Sequence, residues 1–241
     1  MKTKMSKFLR GVITSLLFLF AMVTIICQIV FSAMNRDGRS ISSLIDKDRI
    51  VEEVSTDDID EKEREVIDRY MSDYMNYIFH KRSFPSLQTI DYTGLSEEEQ
   101  KSTMDMINTL STRIDLEYRE VLSLREANNF FGNGALFLLV NAAVFIAFLS
   151  LVIVSSGFKK GVQLFSASLA ISSFLSLISY KCIINRLIEG VSDSMKIILN
   201  SMFSSEFINR IIRLSCTYLA IGVVVFACIS AYDKFIKVRL K

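Results

Sequence analysis

Residues 134–155 read GALFLLVNAAVFIAFLSLVIVS, 22 consecutive positions without a charge and with Asn141 as their one amide. A helix of that length rises about 33 Å, enough to cross a hydrocarbon layer roughly 30 Å thick. Three more stretches share this run's length and freedom from interior charge, at about 11–34, 161–180 and 214–232. With 51% hydrophobic residues, one proline and a positive mean hydropathy, the 241-residue chain does not have the composition of an ordinary soluble domain. The reading is an all-α integral membrane protein with four transmembrane helices.

Lys2, Lys4, Lys7 and Arg10 precede the first run, as in a secretory signal. The apolar stretch from Gly11 to Met34 is longer than a signal core of about 7–15 residues, and Val30-Phe31-Ser32-Ala33 makes a poor cleavage site. It is therefore expected to stay as an anchor. Thr24-Ile25-Ile26-Cys27 lacks the residues of a lipoprotein cleavage box, so Cys27 is read as a core residue.

Orientation follows from the lysines and arginines near the spans. The 1–10 segment, the 156–160 turn with Lys159 and Lys160, and the 233–241 tail with Lys234, Lys237, Arg239 and Lys241 are basic and are assigned to the cytoplasm. Residues 35–133 hold 22 acids and 13 bases and are assigned outside, as is the 181–213 segment. The expected location is the cell membrane, with both termini cytoplasmic and a small helical extracytoplasmic domain.

The third span is rich in serine, and Ser168, Ser172 and Ser176 recur every four residues, which places small hydroxyl side chains on one face. Such a face lets a neighbouring helix approach closely, within the chain or from a protein partner. No ionisable group sits mid-span, which argues against an ion or proton pathway. Asn141 reads as an interhelical hydrogen bond. The four cysteines, Cys27, Cys182, Cys216 and Cys228, show no metal-site spacing, and there is one histidine, so neither a metal nor a cofactor is expected. Nothing marks a nucleic-acid partner.

Two helices are legible in the outer domain. Ser55-Thr56-Asp57 signals a helix over about 58–81, with Val66, Ile67, Tyr70, Met71, Tyr74, Met75 and Ile78 as its apolar stripe. Ser96 and Glu99 form a capping-box pattern opening a second helix, along which Met104, Ile107, Leu110, Ile114, Tyr118 and Val121 repeat up to the Gly132-Asn133-Gly134 break. The two stripes are expected to pack on each other as a cap. The amphipathic stretch 182–212 is too charged to span and is expected at the interface, as a connecting helix or as a lid over a lipid-accessible cleft.

Chemistry-bearing constellations are scarce. No phosphate-binding glycine loop or nucleophile elbow is present. His80, in Phe79-His80-Lys81-Arg82 at a helix end, is the single histidine for acid–base work, and a cation beside a helix C-terminus explains it equally well.

The order of parts resembles the bacterial lipoprotein intramolecular transacylases: four passes, a tyrosine-rich outer helix (Tyr70 to Tyr77), a Phe-Pro-x-Leu stretch (Phe84-Pro85-Ser86-Leu87) and an acidic motif at Glu97 to Met106. In that family the motif carries a histidine, which the resemblance implies as the proton-transfer group when an acyl chain moves from a glyceryl oxygen to an amine. Here Thr103 stands at its place, one residue short in spacing, and Asp105 follows. The resemblance therefore nominates His80, Thr103 and Asp105 as catalytic candidates, with a membrane lipid or lipoprotein as substrate, and leaves open a differently aligned motif, His80 as the substitute, or an inactive relative. The competing expectations are a non-catalytic protein whose acidic outer domain binds a partner or senses the envelope, and an accessory subunit held through the serine face.

Overall fold

The computed structural model describes residues 2–34, 41–54, 60–80, 83–86, 90–155, 157–203 and 205–239. The helices are α1 (Lys2–Met34), α2 (Lys47–Val54), α3 (Glu61–His80), α4 (Glu97–Arg113), α5 (Tyr118–Phe131), α6 (Gly134–Val154), α7 (Phe158–Glu189), α8 (Asp193–Met202) and α9 (Ser205–Arg239), with a 3-10 turn at Ile41–Leu44. No strand occurs among the described residues. Four of these helices, over Lys7–Met34, Gly134–Val154, Phe158–Glu189 and Phe207–Tyr232, are long and apolar enough to cross a membrane, and the protein is an all-α membrane protein. The chain divides into two compact units, Met1–Met34 with Asn133–Cys182 and Ile208–Lys241, and Asn35–Gly132 with Ile183–Phe207.

In the first unit, α1 runs antiparallel to α6. Near one end Arg10 Nε and Nη2 donate to the carbonyls of Val154 and Ser155 at 2.7 and 3.0 Å; further along, Gln28 Nε2 donates to Asn141 Oδ1 at 2.7 Å. α7 lies parallel to α1, through Ser172 Oγ to the Met22 carbonyl at 3.2 Å, and antiparallel to α9, through Gln163 Nε2 to Ser230 Oγ at 3.2 Å. Ala21, Ala147 and Leu151 form a small core on which Leu17, Phe18, Leu164 and Phe165 pack. Elsewhere the large side chains point outward, among them Leu138, Phe145, Ile153, Phe174 and Val224. In water such a surface would aggregate; in lipid it is the solvated face.

Helices in lipid gain little from burying apolar surface, so close backbone approach does the holding. Two glycines permit it. A Cβ on Gly161 would lie 2.4 Å from Val152 Cα, and one on Gly222 would lie 2.8 Å from Ala170 N and from the Ser166 carbonyl oxygen. The serine face expected to admit a neighbour does so within the chain: Ser168 and Ser172 are fully buried and Ser176 nearly so. The cysteines depart from expectation. All four are free and exposed, so Cys27 faces outward instead of packing in the core.

The second unit is held by an apolar core in the manner of a water-soluble domain. The stripe expected on α3 is buried throughout, together with Ile107, Leu110 and Ile114. Asp60, with its N–H on Glu63 Oε2 at 3.1 Å, leads into α3; Ser55-Thr56-Asp57 lie outside the described residues, as do Lys81, Arg82 and Leu87. The capping box opening α4 forms as read, with Glu99 N–H on Ser96 Oγ at 3.3 Å and Ser96 N–H on the Glu99 carboxylate.

Two readings of this unit are corrected. The second outer helix is two helices: α4 stops at Arg113, Ile114 and Leu116 are buried in the break, and a second box, Glu117 N–H on Glu120 Oε2 at 3.0 Å, starts α5. Tyr118 and Met104, taken as stripe residues, are 71% and 44% exposed. The 182–212 stretch is likewise not one element. α7 continues to Glu189, the chain turns at Gly190, and Ser192 caps α8 through Met195 N–H at 3.2 Å while its hydroxyl meets Glu120. Met195, Ile198 and Met202 are buried in this unit, where α8 packs against α2 and the 3-10 turn.

Candidate functional site

The three residues nominated from the sequence lie in the second unit and diverge there. His80 is the last residue of α3 and is exposed. Thr103 and Asp105 are two positions apart on α4, about 200° around the helix axis. Thr103 is 1% exposed, with an Oγ1 that has no hydrogen-bond partner among the described residues, whereas Asp105 is exposed. His80 stands in the last turn of α3, as the dipole explanation requires, and a second basic side chain serves the same end. Arg125 of α5 donates from Nε to the Ile78 carbonyl at 3.0 Å and from Nη2 to the Tyr77 carbonyl at 2.8 Å.

The tyrosines of α3 are structural. Tyr74 donates its hydroxyl to the Ile114 carbonyl across to the α4–α5 break, and Phe84 stands edge-on to Tyr74 and Tyr77 at centroid distances of 5.9 and 5.2 Å. The aromatic residue of the Phe-Pro stretch thus closes over the tyrosine row. Burial pushes the Tyr74 and Tyr70 phenols above their ordinary range, so both stay neutral near pH 7 and neither is a base.

Two hollows in this unit are lined by described residues. One, beside Tyr70, Asp73, Pro85 and Asp91, encloses only about 80 Å³. In it Asp91 is held below the usual carboxylate range, chiefly by its hydrogen bonds from Thr93 and less by Arg69. The other is a shallow surface basin of about 490 Å³ at Asp46, Lys47, Asp48, Asp68 and Ser72, crossed by a Lys47 Nζ to Ser72 Oγ bond of 2.7 Å. Neither is lined by His80, Thr103 or Asp105.

In the membrane-spanning unit the polar groups are mostly consumed locally. Ser166, Ser168 and Ser173 donate to carbonyls of Val162, Phe165 and Leu169 on their own helix at 2.7–2.8 Å. Asn141 accepts from Gln28 and donates to the Phe137 carbonyl at 2.7 Å. Asn141 was read from the sequence as an interhelical hydrogen bond, but its partner Gln28 was not, because the spacing within one span does not say which residue of another faces it. Where α1, α6 and α7 meet near Lys7, Arg10 and Lys160, the unit holds a cavity of about 750 Å³ whose walls include Phe18, Val154 and Leu164.

No family model, curated protein or solved structure matches this chain. Chemical capability therefore rests on these side chains alone. The second unit offers scattered acids on a closed core, and the first offers a cation-rimmed cavity with apolar walls.

Proposed function

We propose that the chain is a non-catalytic four-span membrane protein whose acidic helical unit docks a basic protein segment outside the cytoplasm. The observation that carries this over acyl transfer is the divergence of His80, Thr103 and Asp105. Proton transfer requires the acid or base within hydrogen-bond reach of the reacting atom. Here one candidate is buried in the helical core and two are exposed, and no hollow described in the unit is shared by them.

The docking reading draws on the surface. One face of α4 presents Glu97, Met104 and Asp105, with Glu98 beside it and a single cation, Lys101, among them, all exposed. Among the described residues, the acids of this unit paired with cations are Asp48 with Arg64 at 3.2 Å, Glu65 and Asp91 with Arg69 at 3.8 and 3.9 Å, and Asp193 with Lys196 at 2.7 Å. A field of unbalanced acids steers a basic partner and sets the salt sensitivity of its association. The basic residues at the ends of the spans favour a cytoplasmic side for both termini.

Two measurements in cells test this reading. Mass spectrometry of lipoprotein N-termini with and without the chain should show the same acyl positions; a relocated acyl chain would restore the transferase. A photocrosslinker replacing Met104 should give a discrete adduct that is lost when Glu97, Glu98 and Asp105 become lysine. An adduct indifferent to that reversal would sink the docking reading.

A further inference from the structure

We propose that the cavity among α1, α6 and α7 binds the headgroup of an anionic phospholipid, with the acyl chains lying along the outward face of α1. Lys7, Arg10 and Lys160 stand on its rim, and the residues lining it include no aspartate or glutamate. Arg10 is pre-positioned. Its Nε and Nη2 are fixed on the Val154 and Ser155 carbonyls, which leaves three of its five N–H donors for a ligand. Those carbonyls belong to the C-terminus of α6, where the backbone itself has no further helical partner to offer.

Lys160 comes from the first turn of α7, the positive end of that helix dipole. Ser15 adds a hydroxyl below the cations, beside the Thr14 hydroxyl that donates to the Arg10 carbonyl at 2.8 Å, and Phe18 and Leu164 make the deeper wall apolar. Charge at the rim, hydroxyls beneath it and hydrocarbon deeper down follow the order of a phospholipid from phosphate to glycerol to acyl chain. The volume of about 750 Å³ falls within the range of ligand pockets, roughly 300–1,000 Å³. Leu16, Leu19 and Val23 are 61%, 56% and 59% exposed on α1, so a tail has an apolar track beside the cavity. Basic pockets between spans are a recognised mode of lipid headgroup capture.

The chain contains no tryptophan, so Leu19→Trp gives the full-length protein one fluorophore at the site. Reconstituted in nanodiscs at physiological ionic strength, it should be quenched more strongly by brominated phosphatidylglycerol than by brominated phosphatidylcholine at equal mole fraction. Lys7→Gln with Lys160→Gln should lower the apparent preference by about twenty-five-fold, at roughly fivefold for each cation removed. Gly11→Phe leaves every charge in place but projects into open space, since nothing lies within 4 Å of a Cβ there. It should abolish the preference by filling the cavity.

Equal quenching by the two lipids overturns the proposal. So does a preference that survives Gly11→Phe, which would reduce the effect to diffuse attraction at a basic surface. Displacement of the brominated lipid by inorganic phosphate in large excess would assign the site to a soluble anion and overturn it as well. Circular dichroism melts check that the variants fold; if the lysine pair does not, the lipid comparison and Gly11→Phe still decide.

Discussion

Replacing Arg125 with methionine should loosen the end of α3 more than any change of surface charge in the same unit. The last four carbonyls of a helix have no partner in the helix. In α3 two of them are served by one guanidinium, Tyr77 O at 2.8 Å and Ile78 O at 3.0 Å. A hydrogen bond from a charged donor contributes about 1.5–3 kcal/mol net. Because Arg125 is only half-buried, the lower end applies, giving about 2–3 kcal/mol for the pair. A cation acting on the helix dipole alone contributes only about 0.3–1 kcal/mol. Methionine keeps much of the aliphatic stem, so the loss reports the fork. Hydrogen exchange of the amides of Ile78, Phe79 and His80, read by mass spectrometry on the full chain in nanodiscs, should accelerate about thirtyfold for 2 kcal/mol. Arg125→Lys keeps the charge without the planar fork and should fall between. If lysine exchanges like wild type, the dipole explains the contact; if methionine does, the staple contributes nothing.

Four further outcomes follow from particular contacts. Thr103→Val removes a buried hydroxyl with no described partner and keeps the β-branched shape, so circular dichroism at 222 nm should show an unchanged or up to about 1 kcal/mol higher stability; a marked loss would reveal a hydrogen bond at that hydroxyl. Asn141→Leu should cost about 0.6 kcal/mol, at most about 1.7, and a double-mutant cycle with Gln28→Leu should recover most of it as coupling; zero coupling would refute the interhelical bond. Gly161→Ala places a methyl 2.4 Å from Val152 Cα, so α6 and α7 must part, at about 1–3 kcal/mol in a detergent melt; an unaltered melt would contradict the close approach. The Tyr74 phenol is raised by burial, so the unfolded chain loses its proton first as pH rises. Stability is then intact below about pH 10 and falls above it, and the part of the absorbance rise at 295 nm that Tyr74→Phe removes should appear only as helicity is lost.

How much of this was legible in the sequence depended on how the information was written. The spans were legible because hydrophobic length is a one-dimensional quantity, and the α3 stripe was legible because seven buried positions keep helical spacing. The α4–α5 break was hidden because apolar spacing continues across it through Ile114 and Val121, so periodicity alone carries the helix onward; the local signal was Glu117 followed by Glu120, a capping box without the usual serine. The 182–212 stretch misled for a related reason. Its amphipathicity is genuine, but the face buries Met195 and Ile198 in the acidic unit's own core, and amphipathic spacing does not name its partner. Gln28, Arg125 and the cavity at Arg10 are tertiary facts, each requiring a residue from a helix more than 40 positions away.

The two units are held by opposite means, and that difference locates where a small ligand can be enclosed. The acidic unit draws its stability from apolar burial in water, so its interior is filled by Ile67, Met71, Ile107 and Ile198 and little space remains for a ligand. The spanning unit has lipid on its outside and gains little from packing hydrocarbon against hydrocarbon. It is joined instead at discrete points: Gly161 on Val152, Gly222 on Ala170, Gln28 on Asn141 and Arg10 on the end of α6. Between such points gaps are cheap, because a lipid fills them at no hydrophobic cost. The cavity of about 750 Å³ sits where the joint is a cation, so its natural occupant carries both hydrocarbon and negative charge.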